Sequence, residues 1–216
     1  MSSSVAQTKV YAYEVALFGE FFSRDLKAIL NRITLHTESA APMRTREIVF
    51  EQLGTPLLQS QGDDPVLLRA RKEVGDGKES AWTLYSYLKP ESVRVHPEAT
   101  VRPWATCQVI GDALSFASAL GYVRRSQIYK RGYVFRRGSL VIQMFQQEQV
   151  DPKTSLPIPA HSDTLWEVEV KTATPVNTTA PQGGHIQVNT VRSAIEAVLE
   201  VQLVMKGLLD LRRQDI

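Results

Sequence analysis

The run Glu167-Val168-Glu169-Val170-Lys171 is the segment of this 216-residue chain best equipped for chemistry. On a strand, successive side chains alternate between faces, so Glu167, Glu169 and Lys171 share one surface and Trp166, Val168 and Val170 the other. Two carboxylates beside an ammonium offer oxygen ligands to a hard divalent cation and a positive charge to an anion. The plain alternative is the polar, water-facing side of a half-buried strand, and spacing alone points that way. A second group is basic: Arg124, Arg125, Lys130, Arg131, Arg136 and Arg137 all fall between positions 124 and 137. It is either an anion-binding surface for phosphates or an acidic partner, or a set of solvated strand and turn positions where Lys and Arg discourage edge pairing.

Other chemistry finds little support. No G-x-S-x-G elbow exists, and Cys107 lacks the local signature of an activated thiol, which leaves it as a small buried or half-buried residue. His36, His96, His161 and His185 lie in connecting segments, so a shared metal site requires tertiary contact. Gly75 and Gly77 form a G-x-G followed by strands rather than a helix, which reads as a hairpin turn and not a phosphate cradle. None of these motifs indicates a catalytic residue, a metal or a cofactor.

The elements that must position these residues are mostly strands. Tyr11, Tyr13, Val15 and Leu17 alternate, Gly19 interrupts, and Ser23 offers an N-cap for a helix carrying Leu26, Ile29, Leu30 and Ile33. Residues 36–43 read as a connection. Strands are expected at Arg46 to Leu53, Val66 to Glu73 and Trp82 to Leu88, with an irregular one from Val93 to Thr106 limited by Pro97 and Pro103. The turns between them and the absence of intervening helices indicate antiparallel sheet. A helix fits Asp112 to Leu120, with Leu114, Phe116, Ala117 and Leu120 apolar and Gly121 as its terminator. Strands follow at 122–131, 133–137 and 139–150, with Gly132 marking a bulge and Arg137-Gly138 a tight reversal, and then at Leu165 to Thr172. Ile195, Val198, Leu199, Leu203, Val204 and Leu208 give the last segment the broad stripe of a long amphipathic helix, expected to lie against its own sheet.

Composition bounds the rest. Hydrophobic residues are 43% and charged residues 22% of the chain, ordinary for a folded globular protein. A formal charge of +2 does not suggest a general nucleic-acid binder, and one cysteine excludes an intrachain disulfide framework. There is no membrane-length apolar run and no visible signal peptide, so the expected setting is a reducing compartment away from any membrane. The expected organisation is a disordered tail at 1–9 and one domain at 10–216, with a loop or linker at 173–189 and a C-terminal helix at 190–212. The class is α+β, mainly β: many antiparallel strands, two short helices and one long C-terminal helix.

Several stretches resemble a known family. Leu120-Gly121-Tyr122 ending a helix, then Lys130-Arg131-Gly132-Tyr133-Val134-Phe135-Arg136-Arg137-Gly138, resemble the fungal-type Mediator subunit 18 family of the RNA polymerase II Mediator head module. Tyr13-Glu14-Val15-Ala16-Leu17-Phe18-Gly19, Leu68-Arg69-Ala70-Arg71 and Trp82-Thr83-Leu84-Tyr85-Ser86-Tyr87-Leu88 are similar to further family motifs in the same order. The resemblance spans about residues 11 to 175.

That resemblance implies an antiparallel β-barrel flanked by helices and similar to the barrel of tunnel-type RNA triphosphatases. It implies a nuclear, non-catalytic coactivator subunit that forms a heterodimer with Mediator subunit 20 and is tethered by the C-terminal helix of subunit 8. Contacts to other head-module subunits and the polymerase machinery are implied as well, without sequence-specific DNA binding. The basic cluster is then a candidate partner contact. The triphosphatase likeness makes a competing function explicit: Glu167, Glu169 and Lys171 spell the E-x-E-x-K with which tunnel triphosphatases hold a divalent metal and a triphosphate. Those enzymes also need an early E-x-E, and here Glu14 is followed by Val15-Ala16, so the second carboxylate is missing. An inactive barrel is the expected outcome.

Overall fold

The alternation that starts at Tyr13 runs straight through Gly19 to Phe21 as strand β1 (Tyr13–Phe21) of the computed structural model. The structure describes residues 12–53, 66–75, 81–177 and 190–214. The expected tail at 1–9, the turns at 54–65 and 76–80, and most of the expected 173–189 loop, His185 included, lie outside these residues. After β1 come a 3₁₀ turn (Ser23–Asp25), α1 (Leu26–Thr34), β2 (Ser39–Gln52), β3 (Leu68–Glu73), β4 (Trp82–Tyr87) and β5 (Thr100–Val109). Helix α2 (Ala113–Ala119) follows, then β6 (Tyr122–Arg137), β7 (Leu140–Val150), β8 (Pro157–Ile158), β9 (Trp166–Thr172) and α3 (Val191–Met205). The strand order is β6-β2-β3-β4-β5-β1-β9-β7, every pair antiparallel, and β7 pairs back with β6 to close the barrel. Among the described residues, closure leaves no long open sheet edge for another chain to extend.

Several elements differ from their expected bounds for identifiable reasons. Residues 39–43, expected as connection, are the first part of β2 and pair with β6 alone, because β3 joins only from Thr45 onward. Pro42 is tolerated there since that half of β2 has a neighbour on one side only. Two expected strands at 122–137 are one continuous β6, and Gly132 is in register with Phe145 rather than at a bulge. A Cβ on Gly132 would collide with the Met144 carbonyl, so glycine is required by close backbone approach. The register shift of β6 falls instead opposite Val49 and Phe50. Arg137-Gly138 does reverse the chain, with Gly138 at φ +53°.

The hydrophobic core lies outside the barrel. The outward face of β1, β7 and β9 (Leu17, Ile142, Val168 and their neighbours) meets Ile29 and Ile33 of α1 and Ile195, Val198 and Val201 of α3. A smaller cluster joins Ile48, Phe50, Trp82 and Leu84 to Ala113 and Ala117 of α2. The buried side of α2 is thus its alanines, while Phe116 and Leu120, expected on that side, are exposed. Asp112 caps α2 by accepting the Leu114 N–H at 3.0 Å, and Gly121 follows at φ +82°. Ser23 does not cap α1; its hydroxyl donates to the Ser162 carbonyl at 3.1 Å.

The C-terminal helix is shorter than its apolar stripe suggests. Thr190 and Ser193 form a capping box at its start, and it stops at Met205. Gly207, at φ +85°, turns the chain, and Leu209 and Leu211 are buried in the core as the segment returns to β1. Phe18 and Arg212 exchange both backbone hydrogen bonds, at 2.9 and 2.8 Å. Among the described residues no helix is long and apolar enough to cross a membrane.

Candidate functional site in the barrel lumen

Because the apolar side of β9 faces the outer core, its polar side is turned into the lumen, where Lys171 is buried and Glu167 and Glu169 are half-buried. Glu167, Glu169 and Lys171 therefore share an interior. Glu14 of β1, Glu47 of β2, Arg69 of β3, Arg102 of β5 and Lys130 of β6 join them by the same alternation. The registers bring this about: Phe18 and Gln143 flank Glu169, and Ala16 and Val141 flank Lys171. An eight-stranded barrel has an interior only wide enough for side chains and at most one small ligand, so buried charges there must pair with one another.

They do so in two groups. Lys130 Nζ lies 3.1 Å from one Glu169 oxygen and 3.3 Å from Glu47 Oε2, while Lys171 takes the other Glu169 oxygen. Arg69 completes the first group at 2.9 Å from Glu47 Oε1. In the second, Arg102 donates from Nε and Nη2 to Glu14 Oε1 at 3.0 and 2.8 Å, and the Tyr87 hydroxyl donates to Oε2 at 3.0 Å. The Arg102 guanidinium also lies 3.4 Å from the centre of the Tyr87 ring, a cation–π contact strengthened by desolvation.

These pairings decide the protonation states. Burial by itself raises a carboxyl pKa, but at Glu169 the ammoniums of Lys130 and Lys171 outweigh it and hold the carboxyl far below the usual range. At Glu47 burial likewise opposes, and Lys130 and Arg69 win, so its pKa is lowered. Lys130 is disfavoured as a cation by burial, yet Glu169 and Glu47 raise its pKa. Glu167 goes the other way: burial raises it, despite Lys130 and a 2.7 Å hydrogen bond from Gln147. Burial also pushes the Tyr85 and Tyr87 hydroxyls well above their ordinary value.

A divalent metal of the kind tunnel triphosphatases hold does not fit these residues. Both oxygens of Glu169 are engaged by ammoniums, and both oxygens of Glu14 by Arg102 and Tyr87. Ala16, where the early strand would need its second carboxylate, stands opposite Lys171. Among the described residues no three His, Cys, Asp or Glu side chains converge as ligands. Cys107, expected buried or half-buried, is exposed on β5.

The six basic residues do not form one surface. Arg124 and Arg125 are exposed at the start of β6, and Arg125 Nε lies 3.9 Å from Glu51. Lys130 points into the lumen, whereas Arg131, its neighbour, is on the outer wall 3.7 Å from Glu148. Arg136 is at the lumen mouth. Arg137 ties the β6–β7 hairpin to the helices, donating to the His36 carbonyl at 2.8 Å and pairing with Glu200 of α3 at 3.3 Å. Arg102 and Glu47 carry no local motif; the available signal was the period-2 placement of Arg69 and Arg71 along β3.

A family model for the Med18 protein matches residues 13–215. The chain belongs to the Med18 family. It is similar in structure to a chain of the Schizosaccharomyces pombe Mediator head module, with a TM-score of 0.72 and 16% identity over 94% of this chain and 100% of that one. It is also similar to a putative adenylate cyclase from Vibrio parahaemolyticus (TM-score 0.52, 13% identity, 93% of this chain and 91% of that one). A third similar structure is a putative adenylyl cyclase from Hippeastrum with a dominant triphosphatase activity (TM-score 0.50, 11% identity, 91% of this chain and 90% of that one). At these identities the likeness establishes the fold. A comparison with curated protein sequences gives no match. The eight-stranded barrel of this Med18-family chain is thus shared with proteins whose described activities differ.

Proposed function

We propose that this chain is a non-catalytic subunit of the nuclear Mediator coactivator, part of its head module, and that it relays regulation to RNA polymerase II through protein contacts. The observation that carries this reading is the family match over residues 13–215, supported by the head-module structure whose chain the fold covers completely. The lumen agrees with it, since Lys130, Lys171 and Arg102 neutralise the carboxylates a hydrolase would give to a metal. The partners proposed are Mediator subunit 20, as the other half of a heterodimer, the C-terminal helix of subunit 8 as a tether, and other head subunits. Arg124 and Arg131, exposed on the outer face of β6, are the candidate contacts for an acidic partner surface.

Co-expression with subunits 8 and 20 tests this. The expected result is one complex that survives size-exclusion chromatography and weakens at raised salt in a double charge reversal at Arg124 and Arg131. A chain that elutes alone from every co-expression overturns the assembly reading. Hydrolysis of a triphosphate with Mn²⁺ that is abolished by Glu169→Gln overturns the non-catalytic one.

A further inference from the structure

We propose that the open half of the lumen is a binding site for a small diphosphate anion, held without a metal by Arg71, Arg136, Thr45 and Trp104. The lumen widens there into a cavity of about 420 Å³, within the range of small-molecule pockets. Its lining carries two guanidiniums and two buried donors without a partner among the described residues. Arg71 lies 5.7 Å over the Tyr85 ring, and neither it nor Arg136 has an ion pair with a described residue. Thr45 is 3% exposed, yet its hydroxyl has no hydrogen-bond partner among the described residues, and the indole N–H of Trp104 is buried and equally unpaired among them.

The carboxylates on the same lining do not compete for these groups. Glu14 is engaged at both oxygens by Arg102 and Tyr87, and Glu73, exposed at the rim, is itself partnered. The groups that face the cavity without an ion pair or hydrogen bond to a described residue include two guanidiniums, the Thr45 hydroxyl and the Trp104 indole N–H. A buried donor without a partner is unfavourable, which applies to Thr45 and Trp104, while Arg71 is half-buried and Arg136 exposed at the mouth. An anion in the cavity meets a lining that carries all four. Planar guanidinium forks match phosphoryl oxygens, and a diphosphate presents one phosphoryl group to each fork. The Tyr87–Trp104 ring pair, with centroids 6.5 Å apart, adds an aromatic wall beside them. The diphosphate can therefore be inorganic or the diphosphate of a nucleotide.

Calorimetry on the full chain in excess EDTA tests the site with inorganic pyrophosphate and, separately, ADP. Metal-free binding of either is expected, weakened about tenfold by Arg71→Gln or Arg136→Gln and unchanged by Arg124→Gln on the outer wall. Equal affinities assign the site to the diphosphate alone; a clear preference for ADP adds the nucleoside, stacked on the aromatic wall. The two lumen variants remove cations that have no ion pair with a described residue, so they should keep the parent melting temperature. Should either fail to fold, Thr45→Val and Trp104→Phe, each deleting one donor, must still weaken binding. No heat with either compound at millimolar concentration, or binding indifferent to all four lumen substitutions, overturns the proposal.

Discussion

Removing the Glu14 carboxylate strands a guanidinium that is almost wholly buried: the Arg102 side chain is 6% exposed and that of Glu14 1%. A buried charge that loses its partner destabilises far more than the intact pair stabilises. Glu14→Ala should therefore lower the unfolding free energy by about 3–5 kcal/mol, read from urea denaturation. The double variant Glu14→Gln/Arg102→Met should regain most of that loss, because the stranded charge is gone and an apolar chain can lie against Tyr87 and Phe18. If the double variant is no more stable than Glu14→Ala, the loss comes from packing and not from the unpaired charge. The sequence showed Glu14 as a polar residue on an apolar-patterned strand; only the register with β5 assigns Arg102 as its partner.

At the scale of elements, the C-terminal segment acts as an outer strap on β1, and Gly19 is the residue that admits it. A Cβ at position 19 would lie 2.8 Å from the Asp210 carbonyl and 3.1 Å from the Leu211 side chain. Overpacking of this kind typically destabilises by about 1–3 kcal/mol. Gly19→Ala is expected to fall in that range and to speed hydrogen exchange at the Arg212 amide, which donates to the Phe18 carbonyl at 2.8 Å, before it affects the middle of β1. Unchanged exchange at Arg212 would show that the strap is not seated at Gly19. The glycine was legible in the sequence as a break in an alternating strand, yet the strand does not break there. Its purpose lies almost two hundred positions further along the chain, beyond the reach of any local pattern.

For the whole molecule, the lumen charges set how stability depends on pH. Glu169 and Glu47 have folded-state pKa values below those of the unfolded chain, so their contribution is present above about pH 4.3 and is lost as pH falls through the depressed values. Lys130 is raised, so its contribution is full below about pH 10.4 and is lost as pH rises through the folded value. Glu167, raised by burial, works against the acid trend just above its unfolded value. Urea midpoints are expected to stay level through neutral pH and drop steeply below about pH 4. Lys130→Met should lower the neutral plateau and flatten the acid drop; an acid limb identical in that variant would remove this cluster from the account.

What the sequence determined by itself was the set of alternations. Hydrophobic side chains every second residue in β1, β7 and β9, and every third or fourth in α1, are local signals, and they specified antiparallel strands, helices and the family motifs. Which face of each strand meets water is not local. The Glu167–Lys171 strand reads as half solvated, but closure of β7 onto β6 and the placing of α1 and α3 outside put its apolar side in the core and turn its charges into the barrel lumen. There, in a low-dielectric lumen, partners come from strands far apart in sequence: Glu169 with Lys130, Glu14 with Arg102. Tertiary structure decided those pairs because charges withdrawn from water must find one another, and only closure of the barrel brings them within reach.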